Sequence, residues 1–170
     1  MGAEIQGVDL ANMDDATFDE LYAAWLCHHV VVMRDQKITP DQQIAFAHRF
    51  GDIHHHPYMS GMPDYPDIIE IVKEPGDNYT FGSSWHTDQM FNPQPAKATM
   101  LYAHEVPSAG GDTIFANMHL AYEALSDGMK AMLVDVKTWC VGDRFKKDGG
   151  GKRADRYKGN TVMADKVRDP

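Results

Sequence analysis

Trp85-His86-Thr87-Asp88, followed downstream by Gly110-Gly111-Asp112-Thr113, is the stretch on which the reading of this chain turns. On a strand, side chains alternate with period two, so a His-x-Asp pair brings an imidazole and a carboxylate to one face. Those groups are two parts of the 2-His-1-carboxylate triad that holds non-haem Fe(II) with open positions for substrate and oxygen. The remaining histidine of such a triad need not be near in sequence. The spacing alone also fits a plain hydrogen-bonded polar pair, and it does not separate the two readings. A charged Asp88 near Trp85 and Phe91 leans toward the metal, because a charge among apolar groups needs a partner or an ion.

Working outward, Pro93 and Pro95 break the run carrying His86 and Asp88, and residues 97–106 read as the next strand. Residues 107–111 form a tight connection and residues 112–116 a further strand. Before the motif, Ile68-Ile69-Glu70-Ile71-Val72 reads as a strand and residues 76–84 as a polar loop. Near the N-terminus, residues 5–10 predict a short strand entering a turn at Asn12. Residues 14–28 predict a helix, since Phe18, Leu21, Tyr22, Trp25 and Leu26 fit one apolar stripe. Val30-Val31-Val32-Met33 predicts a buried strand. Thr39-Pro40-Asp41-Gln42 is a helix start with a capping Thr, Pro at the first helical position and a Gln closing a capping box; Gly51 ends that helix. Asn117 caps another helix with Leu120, Ala121, Ala124 and Leu125 on its buried face. A short helix with Met129, Met132 and Leu133 follows, then a strand over residues 136–141. Helices early and short strands later, joined by Gly and Pro, predict a mostly β fold with flanking helices, such as a jelly roll.

The chain has 170 residues, 43% of them apolar, which suits a single domain over residues 1–170 with its own core. No apolar run is long enough to span a membrane, and the N-terminus lacks the basic and apolar regions of a secretory signal. Cys27 and Cys140 have no metal-type spacing and read as free thiols in a reducing compartment, which predicts a cytoplasmic protein. The net charge of −9 argues against a nucleic-acid partner. Residues 143–170 depart from that balance, holding nine Lys/Arg against five Asp/Glu, with Gly149-Gly150-Gly151 at their centre. Such a segment reads as a solvated, lid-like loop, or as a basic strip attracting an anionic substrate. There is no internal repeat.

The other histidines carry weaker signals. His54-His55-His56 cannot all face one way on a strand, so this run alone makes a poor metal site, although one of them can reach a pocket. His28 and His29 suit a helix C-terminus. His104 and His119 read as structural. Thr113 after Gly110-Gly111 can offer a hydroxyl to an anion or simply be a strand residue.

Taken together, Gly2 to Leu10, Arg34-Asp35-Gln36, Phe50-Gly51, His56-Pro57, Trp85-His86-Thr87-Asp88, Phe91, Gly110-Gly111-Asp112-Thr113 and Ala121-Tyr122-Glu123-Ala124-Leu125 resemble, in this order, the taurine dioxygenase family. Its members include taurine, alkylsulfate and phenoxyacetate dioxygenases. The resemblance runs from residue 2 to about residue 142. It implies a double-stranded β-helix (jelly roll), Fe(II) held by His86 and Asp88, and 2-oxoglutarate and O2 as co-substrates. It implies that Thr113 contacts the 2-oxoglutarate carboxylate, and that His56, Tyr58, Gln89 and Phe91 lie at or near the substrate pocket. The implied reaction hydroxylates a small anionic molecule (a sulfonate, sulfate ester or aryloxy acid) while 2-oxoglutarate becomes succinate and CO2. A homo-oligomer stays open.

Two departures from the family pattern matter. Gly82-Ser83-Ser84 stands where relatives usually carry a polar residue before the Trp, which argues against taurine itself. The family's second iron histidine and its 2-oxoglutarate arginine lie further along than Pro170, and no histidine follows His119. The expectation is therefore a jelly roll incomplete at its C-terminus, read as the N-terminal portion of a longer dioxygenase, and no succinate from a chain stopping at Pro170. The alternatives are a truncated, inactive jelly-roll binding module and a cupin-like metal protein without 2-oxoglutarate chemistry.

Overall fold

The computed structural model describes residues 1–56, 59–77, 81–82 and 84–140. They divide into two compact units. Among the described residues, the first is built from Met1–Lys37 and Met100–Thr138, the second from Ile38–Thr99 together with Trp139 and Cys140.

In the first unit, strand β1 (Ala3–Glu4) pairs in parallel with β2 (Val31–Val32), Ala3 opposite Val31 and Glu4 opposite Val32. Parallel neighbours need a long crossover, and helix α1 (Asp15–His28) supplies it. α1 starts where Asp14 accepts the Thr17 N–H at 2.8 Å. It stops where His29 turns to φ 67° and its N–H returns to the Trp25 carbonyl at 2.7 Å. The apolar stripe predicted for this helix is present, but only Phe18 and Leu21 are buried, while Leu26 is 56% exposed. Beyond β2, the Gln36 amide ties the first turn down, accepting from the Leu10 N–H and donating to the Val8 carbonyl, both at 3.0 Å. The Tyr102 hydroxyl donates to the Gln36 carbonyl at 3.0 Å, anchoring the later segment of the unit. Helices α3 (Met118–Glu123) and α4 (Asp127–Leu133) are capped by Asn117 and Ser126.

In the second unit, α2 (Pro40–His48) opens with the predicted capping box. Thr39 Oγ1 accepts the Gln42 N–H at 3.3 Å, and Gln42 Oε1 accepts the Thr39 N–H at 2.9 Å. Phe46 is the buried residue of this helix and meets Phe50 edge-on at 5.4 Å. The Lys97 ammonium donates to the Phe50 carbonyl at 2.9 Å, holding the end of the helix against the segment that follows the proposed metal motif.

Several expected strands are not paired. The N-terminal strand occupies Ala3–Glu4 rather than residues 5–10, and Val32, expected to be buried, is 44% exposed. Among the described residues, 68–72, 85–91, 97–106, 112–116 and 136–140 join no ladder. Ile71, Leu101, Val106, Ile114 and Val136 accordingly stay exposed. The reason is physical: period and β-branching record a segment's fitness for a sheet, whereas a ladder also needs a partner for every second N–H and C=O. The expected buried face of α3 is likewise open, with Leu120 65% exposed. The described residues thus contain the flanking helices of the predicted architecture and one strand pair, not a closed jelly roll.

Candidate metal-binding site

Asp88 opens a turn over residues 88–91, closed by the Asn92 N–H on the Gln89 carbonyl at 3.0 Å. Gln89 takes φ 47°, a left-handed conformation. The expected strand over residues 85–91 is therefore replaced by an irregular approach over residues 85–87 and a tight turn over residues 88–91. His86 and Asp88 still face each other, through the turn rather than through a pleated ladder.

Their geometry has a chemical consequence. His86 Nδ1 lies 2.7 Å from the Ser84 carbonyl oxygen. A carbonyl can only accept, so Nδ1 carries a hydrogen and donates it. In the neutral ring, Nε2 then carries a lone pair, and it points at Asp88 Oδ1 across 3.2 Å. A lone pair facing a carboxylate oxygen calls for a cation between them or for protonation of the ring. Nitrogen and oxygen ligands at about 2.0–2.2 Å from one divalent ion lie about 3.0–3.4 Å apart at octahedral to tetrahedral angles, so the observed separation suits a shared ion. One imidazole and one carboxylate are the donor types that suit a first-row divalent metal, and the carbonyl behind the ring is the usual second support of a metal-bound histidine. Both side chains are about half exposed, so an ion and a ligand have access. Asp88 Oδ2 is occupied differently, accepting the Thr99 hydroxyl at 3.0 Å. Among the described residues, no group of three His, Cys, Asp or Glu side chains gathers in metal-holding geometry.

The three adjacent histidines go to three environments. His54 Nε2 sits 2.6 Å from Gln89 Oε1, and the Asn92 side-chain amide donates to the same oxygen at 3.0 Å. His55 Nε2 approaches Asp67 Oδ1 at 3.4 Å. His56 is half-buried, and loss of solvent holds its pKa below the ordinary value; the Asp88 charge opposes this and His54 reinforces it. Of the residues expected at the substrate pocket, His56 and Gln89 thus stand beside the His86–Asp88 pair in this unit. Phe91 is half-buried in the same turn. Tyr58 lies outside the described residues. Thr113 belongs to the first unit, where it is exposed and preceded by Gly110 and Gly111 at φ 81° and 77°. The sequence reading missed Thr99, Asn92 and the Ser84 carbonyl. Their roles come from turn geometry and from a contact across eleven positions, for which sequence spacing carries no signal.

The whole chain, residues 1–170, matches the family model described as taurine catabolism dioxygenase TauD, TfdA family. It is 38% identical over 142 residues to an (S)-phenoxypropionate/alpha-ketoglutarate-dioxygenase of Sphingobium herbicidovorans, covering 76% of this chain and 46% of that one. It is 34% identical over 143 residues to an alpha-ketoglutarate-dependent sulfate ester dioxygenase of Pseudomonas putida, covering 83% and 46%. With an alpha-ketoglutarate-dependent sulfonate dioxygenase of Saccharomyces cerevisiae it shares 31% identity over 144 residues, covering 78% and 35%. The matched region spans less than half the length of these relatives.

Proposed function

This chain belongs to the taurine catabolism dioxygenase TauD, TfdA family, and from that premise we propose that it serves an Fe(II)- and 2-oxoglutarate-dependent dioxygenase. The substrate is a small organic anion of the sulfonate, sulfate ester or aryloxy acid class. The observation that carries the proposal is the convergence of His86 Nε2 and Asp88 Oδ1, with the far ring nitrogen already committed to the Ser84 carbonyl.

His86 and Asp88 hold the iron in this reading. The Ser84 carbonyl fixes the tautomer and the ring plane, so Nε2 is presented as a donor without rearrangement. Asp88 adds a negative charge that favours a divalent cation over a neutral ligand. Thr113 offers its hydroxyl to a 2-oxoglutarate carboxylate, and His56, Tyr58, Gln89 and Phe91 line the substrate pocket. His56, whose burial disfavours the charged ring, is suited to donate or accept a hydrogen bond there. The iron, when bound, supplies the oxidising chemistry that couples decarboxylation of 2-oxoglutarate to hydroxylation of substrate. Hydroxylation at the carbon bearing a sulfonate, sulfate or aryloxy group makes that group leave. Residues 1–170 form part of one such domain. The jelly-roll core that the family implies is part of the same proposal, although residues 68–72, 97–106 and 112–116 join no ladder among the described residues. The relatives' names, which speak of phenoxypropionate, sulfate esters and sulfonate, support the substrate class.

The test is metal binding followed by turnover. Co(II) titration of the intact chain, of His86→Ala and of Asp88→Ala is expected to show one site in the first and its loss in both variants. Fe(II)-dependent succinate release is then assayed with an alkanesulfonate, an alkyl sulfate and a 2-aryloxypropionate, and none is expected from residues 1–170 by themselves. Equal Co(II) binding by all three proteins would overturn the site, and with it the proposed chemistry.

A further inference from the structure

The two oxygens of Asp88 have different neighbours. Oδ1 faces His86 Nε2 at 3.2 Å, while Oδ2 accepts the Thr99 hydroxyl at 3.0 Å. Thr99 stands eleven residues further on, in the segment that emerges after Pro93 and Pro95, and it is exposed. A carboxylate turns easily about its last torsion, which has broad, two-fold preferences. Left alone, Asp88 could present either oxygen, or both, to a neighbouring ion. The Thr99 hydrogen bond selects one arrangement.

We propose that Thr99 is a positioning residue for the metal pair. Its hydroxyl engages Oδ2, so that Oδ1 alone is turned toward the point His86 Nε2 faces. The proposal rests on reading His86 and Asp88 as metal ligands, and it adds a function for a residue that the motif does not contain. The physical case has two parts. A hydroxyl donating to an ionised carboxylate makes a charge-assisted bond, stronger than a neutral one. A carboxylate held to one ligating oxygen also occupies one coordination position instead of two, which keeps positions free for the other groups that a non-haem iron site must accept. Thr99 thereby does for Asp88 what the Ser84 carbonyl does for His86: each ligand is gripped from behind by a group that the metal does not touch.

The experiment compares Co(II) affinity and the visible absorption spectrum of the Co(II) form in the intact chain and in Thr99→Val, Thr99→Ala, Thr99→Ser and His86→Ala. Circular dichroism and thermal melting of the metal-free proteins monitor folding. Val keeps the size of Thr and removes the hydroxyl; Ala provides a second protein without it; Ser restores it. Loss of an outer support of a metal ligand typically weakens binding about 10- to 100-fold, and that loss is expected for Val and Ala, with Ser close to the intact chain. The Co(II) spectrum should change in Val and Ala and return in Ser, a pattern that general destabilisation would not produce. Val and Ala binding Co(II) as the intact chain does, while His86→Ala loses it, would overturn the role of Thr99 and leave the metal pair standing. Unchanged binding in His86→Ala as well would remove the metal pair, and the proposal with it.

Discussion

His54 Nε2 and Gln89 Oε1 lie 2.6 Å apart although thirty-five residues separate them in the chain, and Asn92 donates to the same Gln89 oxygen. The contact fastens the histidine run to the turn that immediately follows Asp88. It also gives Gln89 a reason to hold φ 47°, a conformation that is costly for most residues with a side chain.

Two substitutions separate these contributions. Gln89→Gly removes the hydrogen bonds and accommodates the left-handed backbone, whereas Gln89→Val removes them and adds a β-branched side chain where the backbone disfavours one. Val should therefore be less stable than Gly by about 1–2 kcal/mol. Urea denaturation of the two proteins measures the difference; a Val variant as stable as Gly would mean that the turn relaxes freely.

His56 provides a test by titration. Burial lowers its pKa from an ordinary value of 6.5, so the folded chain resists taking up the proton that the unfolded chain accepts. The stability this confers is complete above 6.5 and declines as the pH falls from there toward the lowered folded value. Proton NMR of the imidazole should show a midpoint below that of free histidine. Asp88→Asn should lower it further, because Asp88 raises it, and His54→Gln should raise it. Shifts of the opposite sign would show that the charges around His56 are misassigned.

Thr113→Val tests the co-substrate assignment. Thr113 is exposed, so the exchange should leave the melting temperature nearly unchanged. A hydroxyl bonding to a ligand carboxylate contributes roughly 1.5–3 kcal/mol, which corresponds to about a ten- to hundredfold weaker 2-oxoglutarate affinity on its loss. Calorimetric titration of the two proteins gives the ratio, and a ratio near one would return Thr113 to an ordinary backbone-spacing role.

Thr39→Ala should destabilise the chain by about 1 kcal/mol, since it strips α2 of the oxygen that receives the Gln42 N–H. Thr39→Ser should recover most of that loss. Thermal melts of the three proteins check the order, and an Ala variant as stable as Thr would show that the capping box is idle.

What could be foreseen in this chain follows from how far each signal reaches. Thr39 and Asn117 each act on an N–H three residues away, so those helix starts were visible in the bare sequence. The His86–Asp88 pair was visible for the same reason, being only two residues apart. The Thr99–Asp88 and His54–Gln89 contacts were not, because they depend on a left-handed residue that redirects the chain just after the motif. Strand expectations over residues 97–106 and 112–116 rested on side-chain suitability alone and carried no information about a pairing neighbour, and no ladder forms there among the described residues. Leu120 shows the same limit on a helix: a stripe marks which face seeks cover, not what provides it.

Trp85 is 71% exposed and adjoins His86 in the chain. A hydrated indole beside the imidazole proposed to bind metal is a built-in optical probe. Its emission is expected at the long-wavelength end for tryptophan, and a transition-metal ion arriving at the neighbouring ring should quench it. Trp25, only partly exposed, and Trp139, 66% exposed, would each be replaced by Phe to leave Trp85 as the reporter. Occupancy of this site can then be followed in real time, in an unlabelled protein, by light alone.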